Sequence, residues 1–122
     1  MSAIIEMAVD RKLQVIRQKM TGTLTETDAR RMIEDMKKLA TGLDDPHRII
    51  ICVDASALKK PDPPARRYLT SLLNEPDLKK IALYGAGPLE RAFAKFVIMG
   101  LGIRKFRIFA TEERALRWLC RE

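Results

Sequence analysis

Asp54 and Ser56 stand directly after the run Ile49-Ile50-Ile51-Cys52-Val53, with Asp62 further along the same Lys- and Pro-rich stretch. Carboxylates can serve as acid–base groups or as hydrogen-bond acceptors for a ligand. Asp54 and Asp62 could form a carboxylate pair, but no partner for proton transfer stands near either in the sequence. The plainer reading is a strand-end turn residue and a loop residue. His47 is the only histidine and sits in a loop beside Pro46 and Arg48. One histidine and two separated cysteines, Cys52 and Cys120, offer no zinc spacing. Cys52 lies among isoleucines, which makes it a buried, inert thiol rather than a nucleophile. No cofactor is implied.

A second candidate is Gly85-Ala86-Gly87-Pro88, which follows a strand and opens a helix. In open α/β sheets ligands sit beyond the carboxyl ends of strands, often against helix N-termini. The turn lacks the third glycine of a dinucleotide fingerprint, and Pro88 removes one N–H donor. Arg91 is one turn into the helix and could reach back over that end. A simple tight turn is the competing reading.

The elements that must position these residues follow from periodicity. Ala3–Val9 and Leu13–Met20 read as strands around an Asp10-Arg11-Lys12 turn. Thr25 caps a helix, with Asp28 in capping-box spacing. Ala29, Met32, Ile33, Met36, Leu39 and Ala40 form its apolar stripe, and Gly42 is the expected C-cap. The run Ile49–Val53 reads as a strand buried on both faces, which Asp54 and Ser56 end. Pro63 and Pro64 suit the first turn of a second helix reaching about Asn74, with Tyr68, Leu69, Leu72 and Leu73 inward. Lys80–Tyr84 is a short strand. A third helix starts at Pro88, with Leu89, Ala92, Phe93, Phe96, Val97 and Gly100 on its inner stripe. Lys105–Phe109 is the last strand. Thr111 caps a final helix carrying Ala115, Leu116 and Leu119 inward, with Trp118 at the edge. The order β-β-α-β-α-β-α-β-α predicts an α/β fold: one domain over residues 1–122, a mixed and mostly parallel sheet, an N-terminal hairpin and about four helices.

Composition agrees with one globular domain of 122 residues, 47% apolar and 32% charged. The two cysteines read as free thiols of a reducing, cytoplasmic protein. The N-terminus lacks a signal-peptide pattern, and the apolar run Phe96–Ile103 is too short to span a bilayer. The net charge of +7 favours anionic contacts. The basic residues come in scattered pairs, such as Arg30-Arg31, Lys59-Lys60 and Arg104-Lys105, which read as solvated faces. No specific nucleic-acid signature is present.

Three stretches together resemble the SpoIIAA-like branch of the STAS/SEC14-related domains. They are Met20-Thr21-Gly22-Thr23-Leu24-Thr25, the strand with Asp54-Ala55-Ser56-Ala57-Leu58, and Arg107-Ile108-Phe109-Ala110-Thr111-Glu112-Glu113 followed by Ala115, Leu116, Trp118 and Leu119. In STAS domains an Asp-x-Ser step ends the buried strand, and six residues on an Asp-Ser pair carries a phosphoacceptor serine. Asp62 matches that Asp, but Pro63 and Pro64 follow it and carry no hydroxyl. The resemblance implies a non-enzymatic regulatory or interaction module without the usual phosphoacceptor. The alternative it implies is a carrier of a lipid or other apolar small molecule. The expected partner is a protein or a second copy of the chain, or else a small anionic or apolar ligand. The expected contact residues are Asp54, Ser56, Gly85, Gly87, Arg91 and Met99. Met99 enters because Ile98, Met99 and Leu101 fall off the inner stripe of the third helix, which marks a surface for self-association or a partner.

Overall fold

The computed structural model describes residues 3–59, 62–88, 91, 95 and 104–121. The strands are β1 (Ile4–Asp10), β2 (Val15–Gly22), β3 (Ile49–Leu58), β4 (Leu78–Tyr84) and β5 (Phe106–Phe109). The helices with described bounds are α1 (Glu26–Ala40), α2 (Pro63–Leu73) and α3 (Glu112–Leu119). Pro88, Arg91 and Lys95 are also helical, as expected of the third helix read from the sequence. Its stripe residues, together with Ile98, Met99 and Leu101, lie outside the described residues.

The five strands form one sheet in the order β1-β2-β3-β4-β5. β1 and β2 are antiparallel, and the other neighbours are parallel. A short turn can only return a strand antiparallel, whereas a parallel neighbour needs a long crossover. The turn is longer than Asp10-Arg11-Lys12. β1 keeps Asp10, and the turn runs on through Gln14, which adopts φ 57°. The Asp10 carboxylate accepts the Leu13 N–H at 3.0 Å, and the Gln14 amide donates to the Arg11 carbonyl at 2.7 Å. These bonds hold a conformation that Leu13 and Gln14 could not keep inside a strand.

β3 explains the continuous apolar run. Ile49, Ile51, Val53 and Ala55 face α1 and α2, in a core with Ile16, Met20, Met32, Met36, Leu72 and Leu78. Ile50 and Cys52 face the other way, into a smaller core with Val15, Ala82, Ala115, Trp118 and Leu119. α3 alone supplies the helical side of that second core among the described residues. Trp118 is 9% exposed, and its ring lies 5.7 Å from that of Phe109. β3 does not end at Asp54. It continues to Leu58, paired with Thr21 and Gly22, because a bulge absorbs the Asp-x-Ser step.

α1 begins with the full capping box: Thr25 Oγ1 accepts the Asp28 N–H at 3.2 Å, and Asp28 accepts the Thr25 N–H at 3.1 Å. Its end differs from expectation. Thr41, still right-handed, is the C-cap, and its hydroxyl donates to the Lys38 carbonyl, so Gly42 is not needed for a left-handed turn. α2 carries Pro63 and Pro64 in its first turn behind Asp62, whose side chain makes no capping bond. The prolines have no N–H to offer it.

Two predictions follow from these contacts. Burial works against the charge of Asp28, but N–H groups of Ala3 and Thr25 and the Thr25 hydroxyl outweigh it and hold the carboxyl below the usual value. A depressed native pKa stabilises above the ordinary carboxylate range, and this stabilisation is lost as pH falls through the native value. Thr25→Ala is expected to cost about 1 kcal/mol at neutral pH. The difference from wild type should narrow in acid, as read by urea unfolding at a series of pH values. Gln18, 5% exposed, buries an amide nitrogen that lacks a hydrogen-bond partner among the described residues. Gln18→Met is expected to raise stability by about 1 kcal/mol, since it removes an uncompensated polar group. A lower unfolding midpoint would show that the amide is satisfied in solution.

Candidate functional site

The carboxyl ends of β3 and β4 bring several candidates together. Lys19 pairs with Asp54, and Asp54 with Tyr84, while the next described β2–β3 partners are Thr21 and Ala57. β3 thus spends one residue more than β2 over this step, the definition of a bulge. A bulge leaves a backbone donor without a ladder partner. Here Asp54 Oδ1 accepts the Ser56 N–H at 3.0 Å. Ala55 points into the core while Ser56 is exposed.

Gly85 follows β4 at φ +78°. A β-carbon there would sit 3.3 Å from the Ser56 Cβ. The left-handed backbone therefore favours glycine, and a β-carbon would in addition press on Ser56. The Gly87 carbonyl accepts the Arg91 N–H at 2.9 Å, which starts the helix at Pro88. Asp54, Ser56 and Gly85 thus form one ledge, and Gly87 and Arg91 continue from it along the chain. Met99, the remaining candidate, lies outside the described residues.

A hollow of ≈ 250 Å³ opens beside this ledge on the sheet face opposite α1 and α2, lined by Glu6, Ala8, Arg17, Lys19, Cys52, Asp54 and Tyr84 among others. A chain of polar contacts borders it. Arg17 Nε donates to Asp10 at 3.1 Å, its Nη1 donates to Glu112 at the start of α3, and the Tyr84 hydroxyl donates to Glu112 at 3.3 Å. The bond to Glu112 raises the Arg17 pKa further. Burial, with the charges of Asp54 and Glu112, pushes the Tyr84 phenol up to about 12. Burial likewise pushes the Cys52 thiol up to about 11. At neutral pH the hollow holds a protonated phenol, a protonated thiol and a paired guanidinium. It can donate and accept hydrogen bonds, and neither the Tyr84 phenol nor the Cys52 thiol is activated as a nucleophile.

Sequence reasoning did not assign Arg17, Tyr84 and Glu112 to a site, because they come from three separate elements. The one local signal was Arg17 and Lys19, two cations sharing one face of an otherwise well-buried strand. His47 is a surface residue with an 80% exposed side chain, 3.3 Å from Asp77. Among the described residues no group of three or more His, Cys, Asp or Glu could hold a metal ion. No helix there is long and apolar enough to cross a membrane.

The thiols are expected to separate in a labelling experiment. Cys120 is exposed and should react with iodoacetamide at pH 8 in native protein. Cys52 should react only after unfolding, because its thiolate is suppressed and buried. Intact-mass spectrometry counts one label or two. Fast double labelling of native protein would contradict the burial.

The model of the SpoIIAA-like family matches residues 15–120. No curated protein matches the chain in a sequence search. Among solved structures, the chain is similar to an uncharacterized protein of the DUF3478 family with a SpoIIAA-like fold from Shewanella loihica PV-4. The TM-score is 0.71 and the identity 24%, over 97% of this chain and 95% of that one. It is also similar to the anti-sigma factor antagonist SpoIIAA in its unphosphorylated form, with a TM-score of 0.63 and 12% identity over 94% and 96% of the two chains. At these identities the likenesses establish the fold, a five-stranded mixed sheet that opens with a hairpin and continues in parallel. With its family match running from the start of β2 to the residue after α3, the chain belongs to the SpoIIAA-like family.

Proposed function

We propose that this chain is a non-enzymatic, cytoplasmic STAS-like module that regulates by binding a protein partner or small ligand, and that it does so without a phosphoacceptor serine at the start of α2. The observation that carries this reading is the first turn of α2. Asp62 is its N-cap, and Pro63 and Pro64 fill the next two positions. A kinase has no hydroxyl to modify there. The neighbouring ledge of Asp54, Ser56 and Gly85 is built by backbone constraint, and the bond from the Ser56 N–H to Asp54 closes a bulge. Such a surface suits recognition, with Gly87 and Arg91 extending it. The protonated Tyr84 and Cys52 support binding over catalysis. Glu6, Arg17, Lys19 and Asp54 beside the adjacent hollow add charged contacts to this surface.

Native mass spectrometry of freshly purified protein is the direct test, since it reports a retained partner, a retained ligand or a dimer in one spectrum. Asp54→Ala is expected to cost about 1 kcal/mol, because the Ser56 N–H loses its acceptor, and Asp54→Asn much less. Phosphopeptide mapping after exposure to a STAS-directed kinase should find no phosphate between Asp62 and Ala65. Stoichiometric phosphate on Ser56 would show a relocated switch and overturn the reading. Loss of partner binding in Asp54→Ala at unchanged stability would make Asp54 a contact residue rather than a structural one.

A further inference from the structure

The +7 charge is unevenly placed along the chain. Residues 78–122 contain ten Lys and Arg against four Glu, and so carry +6 of it. Part of this excess gathers at the amino ends of the parallel strands, opposite the ledge. Lys80 is the third residue of β4, Arg107 the second of β5, Arg48 the residue before β3, and Arg121 lies two residues past α3. Lys80 and Arg107 both sit against the Trp118 ring, at 5.1 and 5.4 Å from its centre. Lys80 Nζ donates to the carbonyls of Trp118, at 2.9 Å, and Arg121.

None of these four cations makes an ion pair among the described residues. The acids that α3 could have offered are occupied elsewhere, Glu112 by Arg17 and Glu113 by Arg117. Asp44 and Asp45 share a hollow with Arg48 and do not pair with it. Burial, then the charges of Arg121, Arg48 and Arg107, hold the Lys80 pKa below its ordinary value. A compact anion would relieve that repulsion. The carbonyls and the indole hold Lys80 and Arg107 in place beforehand, so little side-chain order remains to be imposed on binding.

We propose that Arg48, Lys80, Arg107 and Arg121 around Trp118 form a binding site for a compact phosphate group, either a free phosphorylated small molecule or a phosphorylated lipid headgroup. Arginine and lysine on adjacent elements are the usual donors to phosphate oxygens. The site lies at the other end of the sheet from Asp54 and Ser56, so it stands or falls independently of the interaction reading.

Trp118 is the single tryptophan of the chain and reports on the site directly. Inorganic pyrophosphate is expected to change its emission saturably, and sodium chloride at matched ionic strength is not. The double variant Arg48→Gln/Arg107→Gln alters two exposed side chains and should keep the wild-type melting temperature. It should bind pyrophosphate at least about tenfold more weakly, since two charge-assisted contacts are lost. Vesicles of phosphatidylcholine containing phosphatidic acid separate the sources. A response to vesicles without one to pyrophosphate assigns the site to a lipid headgroup, and the reverse assigns it to a free phosphate. No saturable response to either probe, or an unweakened response in the double variant, would overturn the proposal.

Discussion

Burial of β3 on both faces is the constraint on which the rest of the structure depends. Its residues contribute alternately to the larger core under α1 and α2 and to the smaller one under α3. Burying an isoleucine or valine side chain contributes roughly 1.5–3 kcal/mol. A run of such residues must therefore lie at the centre of the sheet, with helices on both sides. That position forces β2 and β4 to be its neighbours, and it brings α3 back across the face that α1 and α2 leave open. The antiparallel hairpin can extend only outward from β2, which makes β1 an edge.

The bulge beyond Lys19 and Asp54 turns this structural strand into a surface. Without it, Ser56 would stay in the regular ladder with Thr21. With it, Asp54 folds back on Ser56, Ala55 fills the core, and Ser56 comes near enough to Gly85 to crowd a β-carbon there. A core requirement and an exposed ledge are thus served by the same four residues. The Asp54 carboxylate is already engaged by backbone, and Ser56 adds an exposed hydroxyl, so the ledge offers shape and hydrogen-bonding edges.

Charge is managed differently at the two ends of the sheet. Beside the ledge, Arg17 is held by Asp10 and Glu112, and Tyr84 donates to the same Glu112. These contacts fasten α3 to β2 and β4 across the sheet face. At the opposite end, Lys80 and Arg107 are held by an indole ring and two carbonyls, which fix position but do not neutralise charge. A neutralised network closes the fold, and an unneutralised one leaves a potential for an anion to meet.

Local physics made much of this protein legible in its sequence. The Thr25–Asp28 box, the prolines at the start of α2, Gly85 after β4 and the two-faced run Ile49–Val53 each act within a few residues, so their meaning survives without the fold. The order of strands and helices, and the absence of a hydroxyl after Asp62, were readable for the same reason. What only the tertiary structure decided involves partners far apart in the chain. Asp54 and Ser56 are poor strand formers taken alone, yet pairing with Thr21 and Gly22 carries β3 through them to Leu58. Arg17, Tyr84 and Glu112 meet across long separations, and Lys80 of β4 and Arg107 of β5 meet on the Trp118 ring of α3. Spacing along the chain carries no record of such meetings, because they are set by sheet register and by which face a helix covers.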